Sequence, residues 1–226
     1  MEKMAAQLKT IFFDVGNTLL FPDRKHILAP LEKLGPNPSL EQWHSIERTT
    51  KKEFDDIVKH GGLADHSFWF MFYERLLDEL ELRDDQARDA MVEATRISAN
   101  WRVIRPGTRE LLQRLGERYR LAVISNADGK IADVLARSGI ADCFVTITDS
   151  GLVGYEKPDP AIFQAALQAM GADAADSLYV GDVHSVDYLG ATGVGMEAIL
   201  IDVCGAYRET GLPRIESLEE LEGRLA

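Results

Sequence analysis

The sequence predicts an α/β protein with a doubly wound, Rossmann-like parallel sheet and an α-helical cap inserted after the first strand. From about residue 106 onward, short apolar runs alternate with helical patterns, which is typical of strands joined by right-handed crossovers in a parallel sheet. Between about residues 25 and 101 the pattern is instead helical almost throughout. We therefore expect residues 1–21 and 103–226 to form the core domain and residues 22–102 to form the cap domain.

The first strand begins at Ile11 and delivers one carboxylate, Asp14, to a turn made of Gly16, Asn17 and Thr18. A buried strand that ends in an acid places that acid at the carboxyl end of the sheet, where open α/β folds bind their ligands. Taken alone, the stretch is explained equally well by an aspartate that caps its turn. The rest of the chain decides between these two interpretations.

Residue types mark the expected helix boundaries in the cap. They are Ser39 with Gln42 as a capping box, a stop at Gly61 and Gly62, a cap at Asp65, and a cap at Asp84 or Asp85. The cap is also rich in aromatic residues, which we expect to pack mainly in its own core rather than to line a substrate pocket. These are Trp43, Phe54, Phe68, Trp69, Phe70, Phe72 and Tyr73.

The elements of the core follow one another in a regular order. A short polar exit at 21–24 leads from the first strand into the cap. Further strands are expected at 121–124, 143–147, 177–180 and 198–201, and helices from Thr108, through Ile131 and Leu135, at 159–170 and at 186–192.

Composition limits the classes of function. The formal net charge of −12 speaks against nucleic acid or an anionic membrane as the main partner, yet it leaves room for a small phosphorylated substrate in a local pocket. The two cysteines, Cys143 and Cys204, lie in apolar stretches and are expected to be reduced and buried. Neither a secretory signal nor a membrane-spanning stretch is recognisable, so a cytoplasmic location is expected, whereas oligomeric state is not indicated.

Polar side chains stand at the ends of several predicted strands and in the loops beside them: Asp14, Ser125, Lys157, Asp182 and Asp187. Each has an ordinary explanation as a cap, a turn residue or a solvated charge. Because the carboxyl ends of parallel strands meet at one edge of a sheet, we expect these side chains to lie together.

Four motifs in this order resemble those of the haloacid dehalogenase-like hydrolase superfamily. They are 13–19 (FDVGNTL), 124–126 (ISN), 157–160 (KPDP) with Phe163, and 180–182 (VGD) with Asp187. Each motif alone is a weak signal, but four at strand ends, with a helical insertion after the first, form a specific pattern. The resemblance covers nearly the whole chain.

The resemblance implies a Mg²⁺-dependent phosphatase that acts on a small phosphorylated metabolite. Asp14 is expected to be the nucleophile that forms an aspartyl phosphate, assisted by Ser125 and Lys157. Substrate-binding groups are expected at Gly16, Asn17 and Asn126. The expected Mg²⁺ ligands are Asp14, the backbone carbonyl of Gly16, and Asp182, with Asp187 as a further ligand or a support behind the first two.

One position departs from the family's phosphatase pattern. Two residues after the nucleophile, where such enzymes carry a second aspartate as general acid and base, this chain has Gly16. Loss of that group typically costs about 10²- to 10⁴-fold in rate. In addition, Asn17 stands where the family usually has glycine.

Three interpretations remain open from the sequence. The first is a phosphatase that is slow, acts on a good leaving group, or takes its acid from elsewhere; Asp23, His44 and His66 are candidates. The second is a dehalogenase or a phosphonate-cleaving enzyme, the latter needing a Schiff-base lysine in the cap, for which Lys51, Lys52 and Lys59 exist. The third is a binding or regulatory protein that keeps the fold.

Overall fold

The structure is a computed structural model that describes residues 8–35, 37–61 and 67–225. Its strands are β1 (Thr10–Phe13), β2 (Leu20–Pro22), β3 (Trp101–Ile104), β4 (Arg120–Ser125), β5 (Thr146–Asp149), β6 (Ser177–Gly181), β7 (Glu197–Ile201) and β8 (Arg214–Ile215). Six of them form one sheet in the order β5-β4-β1-β6-β7-β8, and every pairing in it is parallel. The predicted α/β fold with a parallel sheet is confirmed.

The α-helices of the described residues are α1 (Arg24–Ile27), α2 (Leu40–Lys59), α3 (Ser67–Glu79), α4 (Asp85–Arg96), α5 (Thr108–Gly116), α6 (Ile131–Arg137), α7 (Ser150–Val153), α8 (Pro160–Met170), α9 (Leu189–Gly193) and α10 (Glu219–Arg224). A π-helical turn, His184–Tyr188, precedes α9. None of these helices combines the length and the hydrophobicity needed to cross a bilayer. The cytoplasmic location stays a prediction.

Hydrophobic clusters cover both faces of the sheet, and the central strand β1 is buried at every position. Ile11 and Phe13 of β1 point into one cluster with α5, α6 and α10, while Phe12 points into a second cluster with α8 and α9. All three side chains are fully buried. A strand buried on both faces reads as a continuous hydrophobic run, which is why the sequence identified it.

The sheet order brings the predicted site residues together. β1 lies between β4 and β6, with Phe13 paired to Val123 on one side and to Val180 on the other. Asp14 therefore leaves the sheet between the ends of its two neighbouring strands, at the carboxyl edge where ligands bind in open parallel sheets.

The helices inserted between β2 and β3 build a hydrophobic cluster of their own from α1 to α4. The capping box of Ser39 and Gln42 begins α2, and Asp84 caps α4, as predicted. The helix α2 ends at Lys59, before the expected glycine stop, and Gly61 follows with a positive φ of 91°. Gly62 and Asp65 lie outside the described residues. The separate cluster supports a cap at 22–102, whose boundaries stay a prediction.

Two local expectations were wrong. Residues 21–24 do not form a polar exit, because β2 pairs with β3 in an antiparallel ribbon that joins the cap to the core. The strand expected at 143–147 begins later, at Thr146, since a 3₁₀ turn over Ala141–Cys143 interrupts the apolar run. The terminal elements β8 and α10 were not anticipated. For β2, β3 and β8, pairing with a strand elsewhere in the chain decides the local structure, and the local sequence pattern does not report that partner.

The cap cluster makes a stability prediction on α3. Phe72 is fully buried, whereas Phe70 on the same helix is 43% exposed and lies beneath the Arg88 guanidinium. Phe72→Ala is expected to lower the free energy of unfolding by about 3–5 kcal/mol, since it empties a packed core position. Phe70→Ala should cost less than about 1 kcal/mol. Urea denaturation followed by tryptophan fluorescence measures both, and equal losses would contradict this packing.

Candidate active site

Lys157 lies at the centre of the site. Its Nζ donates to Asp14 Oδ1 at 2.6 Å, to Asp187 Oδ1 at 2.7 Å and to the Tyr179 hydroxyl at 2.8 Å. The ammonium group thus has its three hydrogen bonds filled, and its side chain is 3% exposed. Burial lowers the pKa of Lys157, but Asp14 and Asp187 more than offset this and hold the pKa above its usual value. The lysine is a fixed positive charge beside the candidate nucleophile.

Asp187 is held from both sides. Besides Lys157, its Oδ1 accepts from the Tyr179 hydroxyl at 3.1 Å, and its Oδ2 accepts from the backbone N–H groups of Asp182 at 3.1 Å and Val183 at 2.9 Å. A side chain at Gly181 would place a Cβ 2.5 Å from Asp187 Cγ, so only glycine fits there. Through these contacts Asp187 fixes the positions of Lys157 and of the turn after β6.

Asp182 is paired with the cap. Lys51 on α2 donates from Nζ to Asp182 Oδ2 at 2.8 Å and bonds Glu47 Oε1 at 3.0 Å. Its side chain is 1% exposed. Asn17 Nδ2 reaches the same oxygen of Asp182 at 3.3 Å. A buried ion pair therefore joins the cap directly to the site, which the sequence did not indicate for these residues.

The helix α2 makes further polar contacts with the core. Asp55 accepts from the backbone N–H of Ser185 at 2.9 Å and from the Tyr207 hydroxyl at 2.9 Å. Arg48 Nη1 donates to the carbonyl of Cys204 at 3.0 Å. Together with the Lys51 pair, these bonds dock one face of α2 on the loops that follow β6 and β7.

Burial perturbs the acids of the site. Desolvation raises the pKa of Asp14 to about 7; Lys157 opposes this, while Asp187 and Asp182 add to it. Desolvation likewise raises the pKa of Asp182 to about 6, against the opposing effect of Lys51. Each carboxylate is costly to hold ionised in this environment and is stabilised by added positive charge.

The oxygens of the site fit a divalent cation. One carboxylate oxygen each from Asp14, Asp182 and Asp187 lies within 4.8 Å of the others. With Glu47, four buried carboxylates face the two buried ammonium groups of Lys51 and Lys157. When all are ionised, two negative charges are left over, which matches the charge of one Mg²⁺, and hard oxygens are its preferred ligands.

The turn after Asp14 has an unusual backbone. Asn17 has a φ of 53°, in the left-handed region that glycine and asparagine tolerate best. Gly16, in contrast, does not have a positive φ. An added Cβ at Gly16 would lie 3.3 Å from Cζ3 of the Trp101 ring, so a side chain there would require the ring to move by a few tenths of an ångström.

Ser125 is the last residue of β4 and Asn126 follows it, as predicted. Ser125 is buried beside the site. The side-chain amide of Asn126 bonds the backbone of Lys157 twice: its Oδ1 accepts from the N–H at 2.7 Å and its Nδ2 donates to the carbonyl at 3.0 Å. These two bonds position the loop that carries Lys157, and substrate binding at Asn126 stays a prediction.

A cavity of about 370 Å³ lies over these groups, between core and cap. Asp14, Gly16, Asn17, Ser125, Asn126, Lys157, Asp182 and Asp187 all line it. Its cap side includes the aromatic wall, formed by Phe54, Phe68, Trp69 and Trp101. Phe54, Phe68 and Trp69 belong to the aromatic residues of the cap, and Trp101 lies at its boundary. From the sequence we expected most of the cap aromatics to pack in the cap core rather than to line a pocket.

The suggested replacement acids lie elsewhere. Asp23 caps α1 and bonds Arg102, and it does not line the cavity. His44 lines a separate cavity of about 230 Å³ near the β2–β3 ribbon. His66 lies outside the described residues.

Comparison with known proteins gives consistent results. A family model described as haloacid dehalogenase-like hydrolase matches residues 8–195. Glyceraldehyde 3-phosphate phosphatase of Methanothermobacter thermautotrophicus is 42% identical over 201 residues, 86% of each chain. Haloacid dehalogenase-like hydrolase domain-containing protein 3 of Bos taurus is 31% identical over 145 residues, 62% of this chain and 57% of that protein. The Bacillus subtilis HAD hydrolase YfnB, bound to magnesium, superposes with a TM-score of 0.69 at 19% identity, covering 97% of this chain and 99% of that one.

The Lys51 contact predicts a large effect on stability. Lys51→Met is expected to lower the free energy of unfolding in EDTA by about 3–5 kcal/mol, because Asp182 and Glu47 lose their buried cation. Lys52→Met, next in sequence but exposed, is the control and should stay within about 0.5 kcal/mol of the parent. Adding Glu47→Gln to Lys51→Met should recover part of the loss. If the two lysine variants are equally stable in EDTA, the pair does not hold the cap.

Proposed function

Because the chain belongs to the haloacid dehalogenase-like hydrolase family, we propose that it is a Mg²⁺-dependent phosphatase of a small phosphorylated metabolite. The observation that carries the proposal is the surplus of two negative charges around Asp14, at the floor of a cavity sized for a small molecule. A phosphatase needs such a cation site beside a carboxylate nucleophile. The relatives include two proteins named glyceraldehyde 3-phosphate phosphatase that cover most of this chain, which supports a small substrate.

Asp14 is the nucleophile of the proposed reaction. Its Oδ attacks phosphorus and forms an aspartyl phosphate, which water then hydrolyses, so one difficult displacement becomes two easier ones. Lys157, fixed at 2.6 Å from Asp14 Oδ1, orients the carboxylate and supplies positive charge to the phosphoryl oxygens. The Ser125 hydroxyl at the end of β4 donates to the same oxygens.

Asp14, Asp182 and the backbone carbonyl of Gly16 are the proposed ligands of Mg²⁺. When bound, Mg²⁺ neutralises charge on the phosphoryl group and aligns it with the nucleophile. Asp187 has both oxygens engaged in hydrogen bonds, and we assign it the role of supporting Lys157 and the turn at Asp182 rather than of a ligand. Asn17 and the backbone near Asn126 complete the binding of the phosphate.

The alternatives meet specific obstacles. A haloacid substrate is itself an anion, and a dehalogenase has no use for a second carboxylate, Asp182, beside its nucleophile. A phosphonate-cleaving enzyme needs a neutral cap amine. Burial lowers the pKa of Lys51, but Asp182 and Glu47 more than offset this and keep it well above its usual value, so it stays an ammonium. Lys52 and Lys59 are exposed on α2 and do not line the cavity.

The role of Asp14 is tested by its closest replacement. Asp14→Asn keeps the size of the side chain but removes the nucleophile, so turnover of any phosphate ester should disappear while the fold remains. Beryllofluoride with Mg²⁺ should stabilise the parent against heat and leave Asp14→Asn unchanged. Asp133→Asn makes the same chemical change at an exposed position on α6 and is the matched control. Parent-like activity in Asp14→Asn would overturn the covalent mechanism.

The cation site is tested by thermal unfolding with and without Mg²⁺. Millimolar Mg²⁺ should raise the melting temperature of the parent, and Asp182→Asn should reduce that gain, since a ligand that binds only the folded state stabilises it. Absence of a gain in the parent at saturating Mg²⁺ would remove the site from the proposal.

The Mg²⁺ effect should also depend on pH in a defined direction. The folded protein keeps protons on Asp14 and Asp182 that the unfolded chain has already released, because both pKa values are raised, to about 7 and about 6. In EDTA, stability should therefore fall from about pH 4 to about pH 7 and level off above that, whereas the gain from Mg²⁺ should grow between about pH 5.5 and pH 8 as protons stop competing. A gain independent of pH would contradict these carboxylates as ligands.

A further inference from the structure

The cap side of the cavity carries the aromatic wall together with three polar residues, Thr95, Arg96 and Ser98. The rings of the aromatic wall contact one another in sequence: Phe54 and Phe68 at 5.6 Å between centroids, Phe68 and Trp69 at 4.9 Å, and Trp69 and Trp101 at 5.5 Å. All three pairs are edge-to-face, the geometry that aromatic rings favour. The wall is therefore one packed unit.

The wall also presents no hydrogen-bond donor at Trp101. The indole Nε1 of Trp101 donates to the carbonyl of Thr95 at 2.8 Å, on the last turn of α4. That bond turns the polar atom of the ring away from Gly16, and ring carbons Cζ3, Cε3 and Cη2 lie 3.3 to 3.6 Å from where a Cβ at Gly16 would be. Carbon atoms of the Trp101 ring thus fill the space beside Gly16, two residues after the nucleophile.

Proton donors near the leaving group are scarce among the described residues. Apart from the carboxylates around Asp14 and Lys157, the titratable side chains that line the cavity are Arg96, Asp128 and Glu156, and all three are exposed. In an in-line displacement the leaving oxygen lies opposite the attacking oxygen. Because Asp14 lies on the core side of the cavity, an in-line pose would direct that oxygen toward the cap side, where the aromatic wall lies.

From this geometry we infer that the substrates are phosphate monoesters of planar, aromatic alcohols, whose oxygen departs without being protonated. The inference rests on the proposed phosphatase function and names its substrate class. An aromatic leaving group packs against the wall, and it delocalises the negative charge that the wall cannot protonate.

The first step balances without a proton from the protein. Asp14 Oδ forms a bond to phosphorus while the bond between phosphorus and the aryl oxygen breaks. The electron pair of that bond leaves on the oxygen, and an aryloxide departs. Lys157 stays protonated throughout, because Asp14 and Asp187 hold its ammonium group in place.

The same geometry makes the second step slow. Water must attack the phosphorus of the aspartyl phosphate; the bond to Asp14 breaks, its electron pair returns to the carboxylate, and one proton of the water passes to solvent. No described side chain at Gly16 accepts that proton. With an aryl ester the phosphorylated enzyme should therefore accumulate, and release of the alcohol should begin with a burst.

Three esters of similar size separate leaving-group chemistry from packing. Phenyl phosphate has an aromatic ring and a stable leaving anion, benzyl phosphate has the ring but an alkoxide leaving group, and cyclohexyl phosphate has neither. We expect kcat/KM for phenyl phosphate to exceed that for benzyl phosphate by about 10²-fold or more, the usual worth of a missing general acid. Benzyl phosphate should have a KM about 3- to 10-fold below that of cyclohexyl phosphate, from ring packing. Benzyl and phenyl esters turned over within about 3-fold of each other would overturn the inference.

Variants assign the effects to the wall. Trp69→Ala should raise KM for phenyl phosphate, whereas the control Phe70→Ala, the exposed neighbour on α3, should not. Gly16→Asp combined with Trp101→Ala should raise kcat for benzyl phosphate by about 10²-fold and should remove the burst of alcohol release seen with phenyl phosphate. Gly16→Asp alone, whose Cβ contacts the Trp101 ring, should raise kcat for benzyl phosphate by less. Both variants are checked for folding by circular dichroism. A double variant that folds and binds Mg²⁺ but gains nothing on benzyl phosphate overturns the role of Trp101.

The outcomes separate this inference from the proposed function. Binding of beryllofluoride that depends on Asp14 and Mg²⁺ supports the phosphatase whichever ester is preferred. If that binding is present and the phenyl ester has no advantage, only the substrate class is wrong. If that binding is absent, the phosphatase itself is wrong, and the substrate class falls with it.

Discussion

The structure depends on the burial of four carboxylates around two lysines at the carboxyl edge of the sheet. Lys157 bonds Asp14 and Asp187, and Lys51 bonds Asp182 and Glu47. Removing one charge from such a set leaves its partner ionised in an apolar environment, which costs more than the pair itself contributes. These ion pairs therefore fix the relative positions of four elements: the loops after β1 and β6, the loop that carries Lys157, and the cap helix α2. Precise placement of the candidate nucleophile follows from this requirement.

The same charges link the cap to the proposed metal site. Asp182 is a proposed Mg²⁺ ligand, and its carboxylate also accepts a hydrogen bond from Lys51 of the cap. A cation bound at the proposed site would share the Asp182 carboxylate with the ammonium of Lys51, so metal binding there would be coupled to the contact of α2 with the core. The contacts of Asp55 and Arg48 hold the same helix to neighbouring loops, which leaves the cavity enclosed between α2, α3 and the strand ends.

The sequence was sufficient for the parts of the site that sit at strand ends. Asp14 and Asp182 follow runs of buried apolar residues, and parallel pairing then forces their convergence. It was insufficient for Lys51, because a glutamate four residues before a lysine on a helix ordinarily indicates an exposed pair. Trp101 was missed for a related reason. It lies where the cap returns to the core, and its partners, Gly16 and Trp69, are distant in the chain.

The two departures from the family pattern are connected physically. Asparagine at position 17 tolerates the left-handed backbone that the turn requires, and its Nδ2 reaches Asp182, so the residue adds a contact that glycine lacks. Glycine at position 16 lets the Trp101 ring approach to van der Waals contact. A site that had only lost its acid would leave an opening beside Asp14. Here that space is filled by a ring held by a hydrogen bond to Thr95 and packed in a continuous wall. Because the Trp101 ring occupies the space that the usual aspartate side chain would take, the site has a different surface beside Asp14. This argues for an altered substrate specificity rather than for loss of activity.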